Sequence, residues 1–300
     1  MLEVLATIFF IIAVGLLARH FKIAGESEYK VLNGIIYHIT LPALIFMSLV
    51  EAGSMAFRDF PLLAANALAV LAMMAIVLII SFALRLPRKL IALLLLASFY
   101  GNIVYMGYPV VELAFGTAGI PVVVVVATIY NLIIFSIGIA LLQYLSHDNG
   151  VKLSTIPGHL ARNPLLISTF AGLLFLASDL ALPGILSTSL NLLGHITAPL
   201  ALFSLGVFMY GRNPLANLQL NLSIAVLKMA VLPALFIFAS GIFGLSGLGY
   251  SVSLVEAAMP LAVTNFILAT QYKLDANLVA SAIVLTTLLS PISLLFFGSI

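Results

Sequence analysis

Cysteine is absent from the 300 residues, and only 7% of them are charged. Without cysteine there is no disulfide, no thiolate nucleophile and no thiolate-held metal. Charge this sparse excludes an ordinary soluble domain, in which roughly 25% of residues are charged. With 63% hydrophobic residues the chain reads as a polytopic membrane protein, so the lipid bilayer is its first partner. A net charge of +2 without a basic cluster argues against nucleic acid. HExxH, paired-aspartate and phosphate-binding patterns are missing too, and no metal or organic cofactor is expected. The first apolar run carries Glu3 where a signal peptide has basic residues, and it continues to about Leu17. It reads as a membrane helix rather than a cleaved leader.

Long apolar runs are what the chain has in abundance. At roughly 20 residues per crossing, they divide into ten spans of an all-α membrane protein. The spans lie near 2–19, 31–50, 61–84, 90–110, 119–146, 163–178, 186–210, 218–240, 249–271 and 277–298. Span five, with the run Val122–Val126, is apolar nearly all round and could face lipid. The longest polar connection, 147–162, marks a hinge between halves 1–146 and 163–300. Odd-numbered connections hold Arg19, Lys22, Lys30, Arg85, Arg88, Lys89, Lys152, Arg162, Arg212 and Lys273. Even-numbered ones hold only Arg58, and Lys228 falls inside span eight. Basic residues concentrate on the cytoplasmic side, which places both termini outside the cytoplasmic membrane.

The halves repeat. Span two contains HITLPALIF (His38–Phe46) and span seven HITAPLALF (His195–Phe203), at an offset of 195 − 38 = 157. Five spans per half is an odd number, so the second half enters the membrane upside down. Inverted repeats build carriers whose site lies at the midplane between discontinuous helices. Residues 98–110, SFYGNIVYMGYPV, combine Gly101, Asn102, Gly107 and Pro109 inside span four. Glycine weakens a helix and proline removes a donor, so the helix is expected to break here. In hydrocarbon a break survives only where protein or a water-filled cavity satisfies the freed backbone. Adding the offset gives 255–267, VEAAMPLAVTNFI, with Pro260 and Asn265 in mid-span. A pair of matching breaks points to a transport site; the plainer alternative is a proline-kinked bundle packed through small residues.

These segments resemble the auxin efflux carrier family, which includes plant PIN exporters and bacterial malate- and malonate-permease-like proteins. The likeness rests on NIVYMGYPVV (Asn102–Val111), Arg162-Asn163-Pro164, LFSLGVFM (Leu202–Met209) and EAAMP (Glu256–Pro260). It covers nearly the whole chain except the large cytoplasmic loop of long PINs. The resemblance implies a ten-helix fold similar to the bile acid–sodium symporters, with spans four and nine crossing near Asn102 and Pro260. It further implies a scaffold of spans one, two, six and seven, through which a homodimer would form. Spans three to five and eight to ten would form the transport domain. Carried over by position, the anion site includes Asn102, Leu41 just before Pro42, and Val263; Gly101, Tyr105, Pro109, Pro260 and Asn265, at the two breaks, are counted with it as substrate-binding candidates. A second asparagine of the PIN site falls on Leu165, and a PIN aspartate of span three falls on Asn66. Those departures point away from auxin and toward a smaller organic anion.

Single residues carry two readings each. Asn102 can donate two hydrogen bonds and accept at its carbonyl; beside a half-helix N-terminus it suits a carboxylate, and it also suits a helix cap. Glu256, about seven residues or on the order of 10 Å into its span, is an intramembrane carboxylate and functional by default. It is neutralised by a coupling ion, Na+ or H+, or it pairs with Lys228. The sodium-coupled symporters are similar in carrying a glutamate near the same crossover, so Glu256 is read as the coupling residue, with Asn102, Thr128 and Asn131 in support. Thr128 and Asn131 serve equally as interhelical hydrogen-bond partners, and Tyr105 and Tyr108 as aromatic packing. His38 and His195 read as packing residues inherited with the repeat, with proton handling as the alternative.

Function follows as movement of a small carboxylate by alternating access, coupled to Na+ or H+. The rival within the family is an uncoupled PIN-like exporter of an aromatic or other monocarboxylate; a channel or sensor of the same fold ranks lower. An intramembrane hydrolase ranks lowest: Gly244-Leu245-Ser246-Gly247 resembles a serine elbow, but no histidine follows Ser246 to act as its base.

Overall fold

The structure is a computed structural model that describes residues 2–52, 59–146, 158, 161–178 and 180–298. Arg58, Lys152 and most of the 147–162 connection lie outside the described residues. Twelve helices account for nearly all of the rest. They are α1 (Leu2–His20), α2 (Glu26–Glu51), α3 (Phe60–Ala83), α4 (Arg88–Phe99), α5 (Ile103–Phe115) and α6 (Thr117–Ser146). After these come α7 (Pro164–Ala177), α8 (Gly184–Met209), α9 (Leu218–Phe243), α10 (Gly247–Ala257), α11 (Thr264–Gln271) and α12 (Ala276–Phe297). Seven of them, α1, α2, α3, α6, α8, α9 and α12, are long and apolar enough to cross a bilayer. Spans four and nine are each divided into two half-helices, α4/α5 and α10/α11, and α7 has 14 residues. This is an all-α, multi-pass membrane protein.

Proline shapes the helices in a way the sequence pattern did not anticipate. The π-turns Ile36–Thr40, Ile103–Gly107 and Leu227–Val231 each end two residues before a proline, at Pro42, Pro109 and Pro233. A proline ring inside a helix clashes with the carbonyl one turn back and leaves it without a donor. Widening that turn by one residue moves the carbonyl away and lets the helix continue. Pro109 therefore does not break span four; the break lies earlier, at Tyr100–Asn102.

Small residues set the packing. Gly15 of α1 faces Gly206 of α8: a Cβ on Gly15 would run into the Phe203 carbonyl, and one on Gly206 into the Ile12 carbonyl. Gly172 of α7 lies against Leu49 of α2, and Gly194 of α8 against Leu44. Close backbone approach of this kind drives helix association where lipid supplies no hydrophobic contrast. Thus α1, α2, α7 and α8 form one packed group, while α3 lies along α4 and the second half of α9, and α12 along α9 and α11.

Helix α6 corrects an expectation. Every residue from Ile120 to Asn131 is buried, Val122–Val126 included. Contacts with α2, α3, α5, α7 and α10 wrap it. A helix that is apolar all round satisfies lipid and protein equally, so composition alone could not place it.

Candidate functional site

The two breaks meet. Gly101 and Leu261 form an isolated antiparallel bridge, the Asn102 amide donates to the Pro260 carbonyl at 2.7 Å, and the Ala262 amide donates to the Tyr100 carbonyl at 3.1 Å. Each extended segment thereby supplies the partners the other lost on leaving the helix. Side chains complete the accounting. Asn265 Nδ2 donates to the Tyr100 carbonyl at 2.9 Å, and the Leu261 amide donates to Thr286 Oγ1 at 3.1 Å. Ser293 Oγ donates to the Ala258 carbonyl at 3.1 Å, and Lys228 Nζ to the Ala257 carbonyl at 2.6 Å. Backbone at this depth is tolerated only because protein satisfies it.

Four half-helix ends converge on the crossing: the C-termini of α4 and α10 and the N-termini of α5 and α11. N-termini present free amides and a partial positive charge. Asn102 caps α5, its Oδ1 accepting from the Tyr105 amide at 3.2 Å, while its buried Nδ2 has no partner. The capping reading thus holds for one half of the amide and leaves the donor half free for another group. Asn102, Gly101, Tyr105, Tyr130, Asn131 and Thr264 are among the residues lining a small cavity at this point. Its free volume of about 10 Å³ holds roughly one water.

Other sequence-selected residues fall at varying distance from this cavity. Asn131 lines it and accepts from the Tyr100 hydroxyl at 2.7 Å. The Tyr105 hydroxyl reaches Asn33 of α2. Pro260 and Asn265 act on the crossing backbone, and Val263 precedes α11, all three buried. Leu41 is buried beside Pro42, and Pro109 is buried in α5. Thr128 is spent on its own helix, donating to the Val124 carbonyl at 2.7 Å, and lies 3.4 Å from Thr169 of α7. Asn66 donates to the Leu62 carbonyl and to Ser253 Oγ, both at 2.9 Å. His38 is exposed, edge-on to Tyr37. His195 is exposed as well and borders a wider cleft of about 470 Å³ with Glu51, Glu112 and Asn191. Glu112 lies about ten residues along α5 from Asn102, or ~15 Å by the helical rise.

Glu256 and Lys228 are both fully buried. Neither carboxylate oxygen of Glu256 has a hydrogen-bond partner, and the group rests against Gly107, where a Cβ would collide with it. A Cβ on Gly101 would lie 2.9 Å from Lys228 Nζ. Each glycine of the 98–110 stretch therefore makes room for one member of this charged couple. Beside Thr264, Phe266 packs 5.6 Å from the Phe208 ring of α8 and lies under the Arg212 guanidinium at 4.8 Å.

Sequence reasoning missed Thr286 and Ser293. Their signal was available: Thr286, Ser290 and Ser293 recur at helical spacing in span ten and are buried on one face of α12. Asn33 and Thr264 carried no comparable signal.

A family profile described as membrane transport protein matches residues 1–298. An uncharacterized transporter of Methanothermobacter thermautotrophicus is 28% identical over 97% of this chain and 95% of its own length. A Rhizobium meliloti protein provisionally named a malonate transporter is 29% identical over 86% of this chain and 82% of its own. Auxin efflux carrier component 5 of Arabidopsis thaliana is 30% identical over 47% of this chain and 42% of its own.

Proposed function

Because the chain belongs to the membrane transport protein family, we propose that it is a carrier of small organic anions that works by alternating access. The observation that carries this reading is the unpartnered Nδ2 of Asn102, buried where two half-helix N-termini meet. A carboxylate placed there would accept from a fixed amide and from free backbone donors. Gly101, Tyr105, Asn131 and Thr264 would enclose it, with Leu41, Pro109, Pro260, Val263 and Asn265 holding the crossing in shape. Two inverted five-span repeats, 1–146 and 163–300, account for the antiparallel meeting of the breaks. In this reading α1, α2, α7 and α8 are the scaffold, which also offers the surface for a homodimer, and the remaining helices move against it. Both termini lie outside the cytoplasmic membrane.

Glu256 supplies the coupling, with a Na+ ion or a proton meeting its unpartnered oxygens, Asn102, Thr128 and Asn131 assisting, and Lys228, Asn66, His38 and His195 in supporting places. The likeness to auxin efflux carriers over about half the chain sustains a second reading, an uncoupled exporter of a monocarboxylate. The relative provisionally named for malonate, which matches far more of the chain, favours a small dicarboxylate as the first substrate to try. Saturable uptake and counterflow of labelled malonate in proteoliposomes, lost in Asn102→Asp, is the expected result. Flux that never saturates and shows no counterflow would instead describe a channel.

A further inference from the structure

Glu256 and Lys228 stand at the crossing as a fully buried carboxyl and a fully buried amine, yet they make no direct ion pair. The ammonium is instead fixed on the carbonyl of Ala257, the last residue of α10. A cation is favourable at that end of a helix, and this one is tethered against Gly101, the neighbour of Asn102. Other helices packed on Glu256 bring little charge. Helices α3 and α12 carry no ionisable residue, and α9 adds only Lys228. Helix α5 brings Tyr105, Tyr108 and Glu112, and α6 brings Tyr130 and Tyr144. Of these, Tyr108 and Tyr130 lie within electrostatic reach of Glu256, and their buried hydroxyls have no partner.

Charge balance then decides the coupling ion. With the site empty, the carboxylate and the ammonium cancel. An anion arriving at Asn102 places a second negative charge in a region of low dielectric, beside the same ammonium. Two buried anions sharing one cation are costly. A metal ion could restore neutrality, but the C-terminal carbonyl of α10 is already taken by Lys228, whose own charge repels a second cation at short range. A proton needs neither space nor a ligand shell.

We propose that Lys228 is a built-in counter-cation for the substrate and that Glu256 is the proton carrier, so the carrier moves one proton with each carboxylate and does not use sodium. In each cycle the Glu256 carboxylate gains a proton from the side on which the anion enters and becomes a carboxylic acid. It returns the proton to water on the side where the anion leaves. No other bond forms or breaks, and a monoanion crosses without net charge. This rests on the carrier reading given above.

The test uses the whole protein in proteoliposomes loaded with a pH-sensitive dye, the membrane potential clamped at zero, and labelled malonate and pyruvate as probes. A gradient of one pH unit, alkaline inside, should concentrate a transported acid about tenfold, and the dye should report proton entry that stops when the acid is withheld. A sodium gradient alone should concentrate nothing. Glu256→Gln should exchange the acid across the membrane yet bring it only to equal concentrations, whereas Lys228→Arg should keep the proton-driven accumulation that Lys228→Met loses. Accumulation that follows sodium, or accumulation by Glu256→Gln, overturns the proton pair and leaves the carrier standing. Absence of saturable movement of either acid under any gradient overturns the carrier reading and this inference together. The dye signal in the unaltered protein needs no variant to fold.

Discussion

Replacing Asn102 by aspartate separates the two jobs of one side chain. Its Oδ1 accepts from the Tyr105 amide at 3.2 Å and so caps α5, while Nδ2 has no partner. Aspartate keeps the acceptor, and a negative charge at a helix N-terminus is favourable, so the start of α5 should survive. The donor is lost. A hydrogen bond to a charged group contributes roughly 1.5–3 kcal/mol, which corresponds to about a tenfold to hundredfold change in Kd. The new carboxylate also repels the anion, so the loss should sit at or beyond the upper end. Asn102→Ala loses cap and donor alike. It should bind more weakly by about tenfold to a hundredfold and also melt earlier, since losing a cap costs about 1 kcal/mol. Calorimetric titration with malonate and pyruvate, paired with thermal melting of the detergent-solubilised protein, reads both quantities. A folded Asn102→Asp protein that binds with unchanged affinity would refute the ligand role and leave Asn102 as a cap alone.

Three further outcomes are expected. Gly206→Leu should push α8 off α1, because the Ile12 carbonyl occupies the space of the first added carbon. Overpacking costs about 1–3 kcal/mol or more, visible as a lowered melting temperature, and an unchanged one would deny the close crossing. Thr286→Val keeps the volume but leaves the Leu261 amide without its acceptor; an unsatisfied buried donor costs about 1–3 kcal/mol. That variant should lose stability, where Thr287→Val, at a hydroxyl with no partner, should not. Reporter fusions at the C-terminus should read outside, and a cytoplasmic reading would sink both the orientation and the odd number of spans per repeat.

Much of the fold was legible because a membrane helix announces itself by length and apolarity. The limits of that signal are equally physical. Val122–Val126 reads the same whether lipid or protein surrounds it, and only the helices packed around α6 settle the matter. Pro260 lies in its break, whereas Pro109 was over-read as a breaker. Pro42, Pro109 and Pro233 are absorbed by π-turns, and the real breaks fall where the chain finds partners across the crossing, at Tyr100–Asn102 and Ala258–Val263. Local propensity could mark the neighbourhood of a break but not its register, because Tyr100 and Ala262 satisfy each other over a separation no short window contains.

The site followed the same division. Asn102, Glu256 and Lys228 were conspicuous because polar atoms in an apolar span demand an explanation, and the structure brings all three to the crossing. Their spacing was not conspicuous: the room made by Gly101 for Lys228 and by Gly107 for Glu256 exists only once the helices are packed. Nor could sequence show that the cavity beside Asn102 is closed to about 10 Å³. That volume is too small for any dicarboxylate, so binding requires motion of the helices that line it. Among the contacts between the enclosing helices and α2 and α8 are the Tyr105 hydroxyl on Asn33, and Phe266 against Phe208 under Arg212. The cleft bordered by Glu51, Glu112 and His195 is already open between the same two groups of helices. A carrier must close that cleft and release those contacts together, since an anion admitted from both sides at once would leak rather than be carried. Phe208 lies in LFSLGVFM, Phe266 in the 255–267 stretch and Arg212 among the basic residues that set the orientation, so what sequence could not show is their pairing across the two groups of helices, or that of Asn33 with Tyr105.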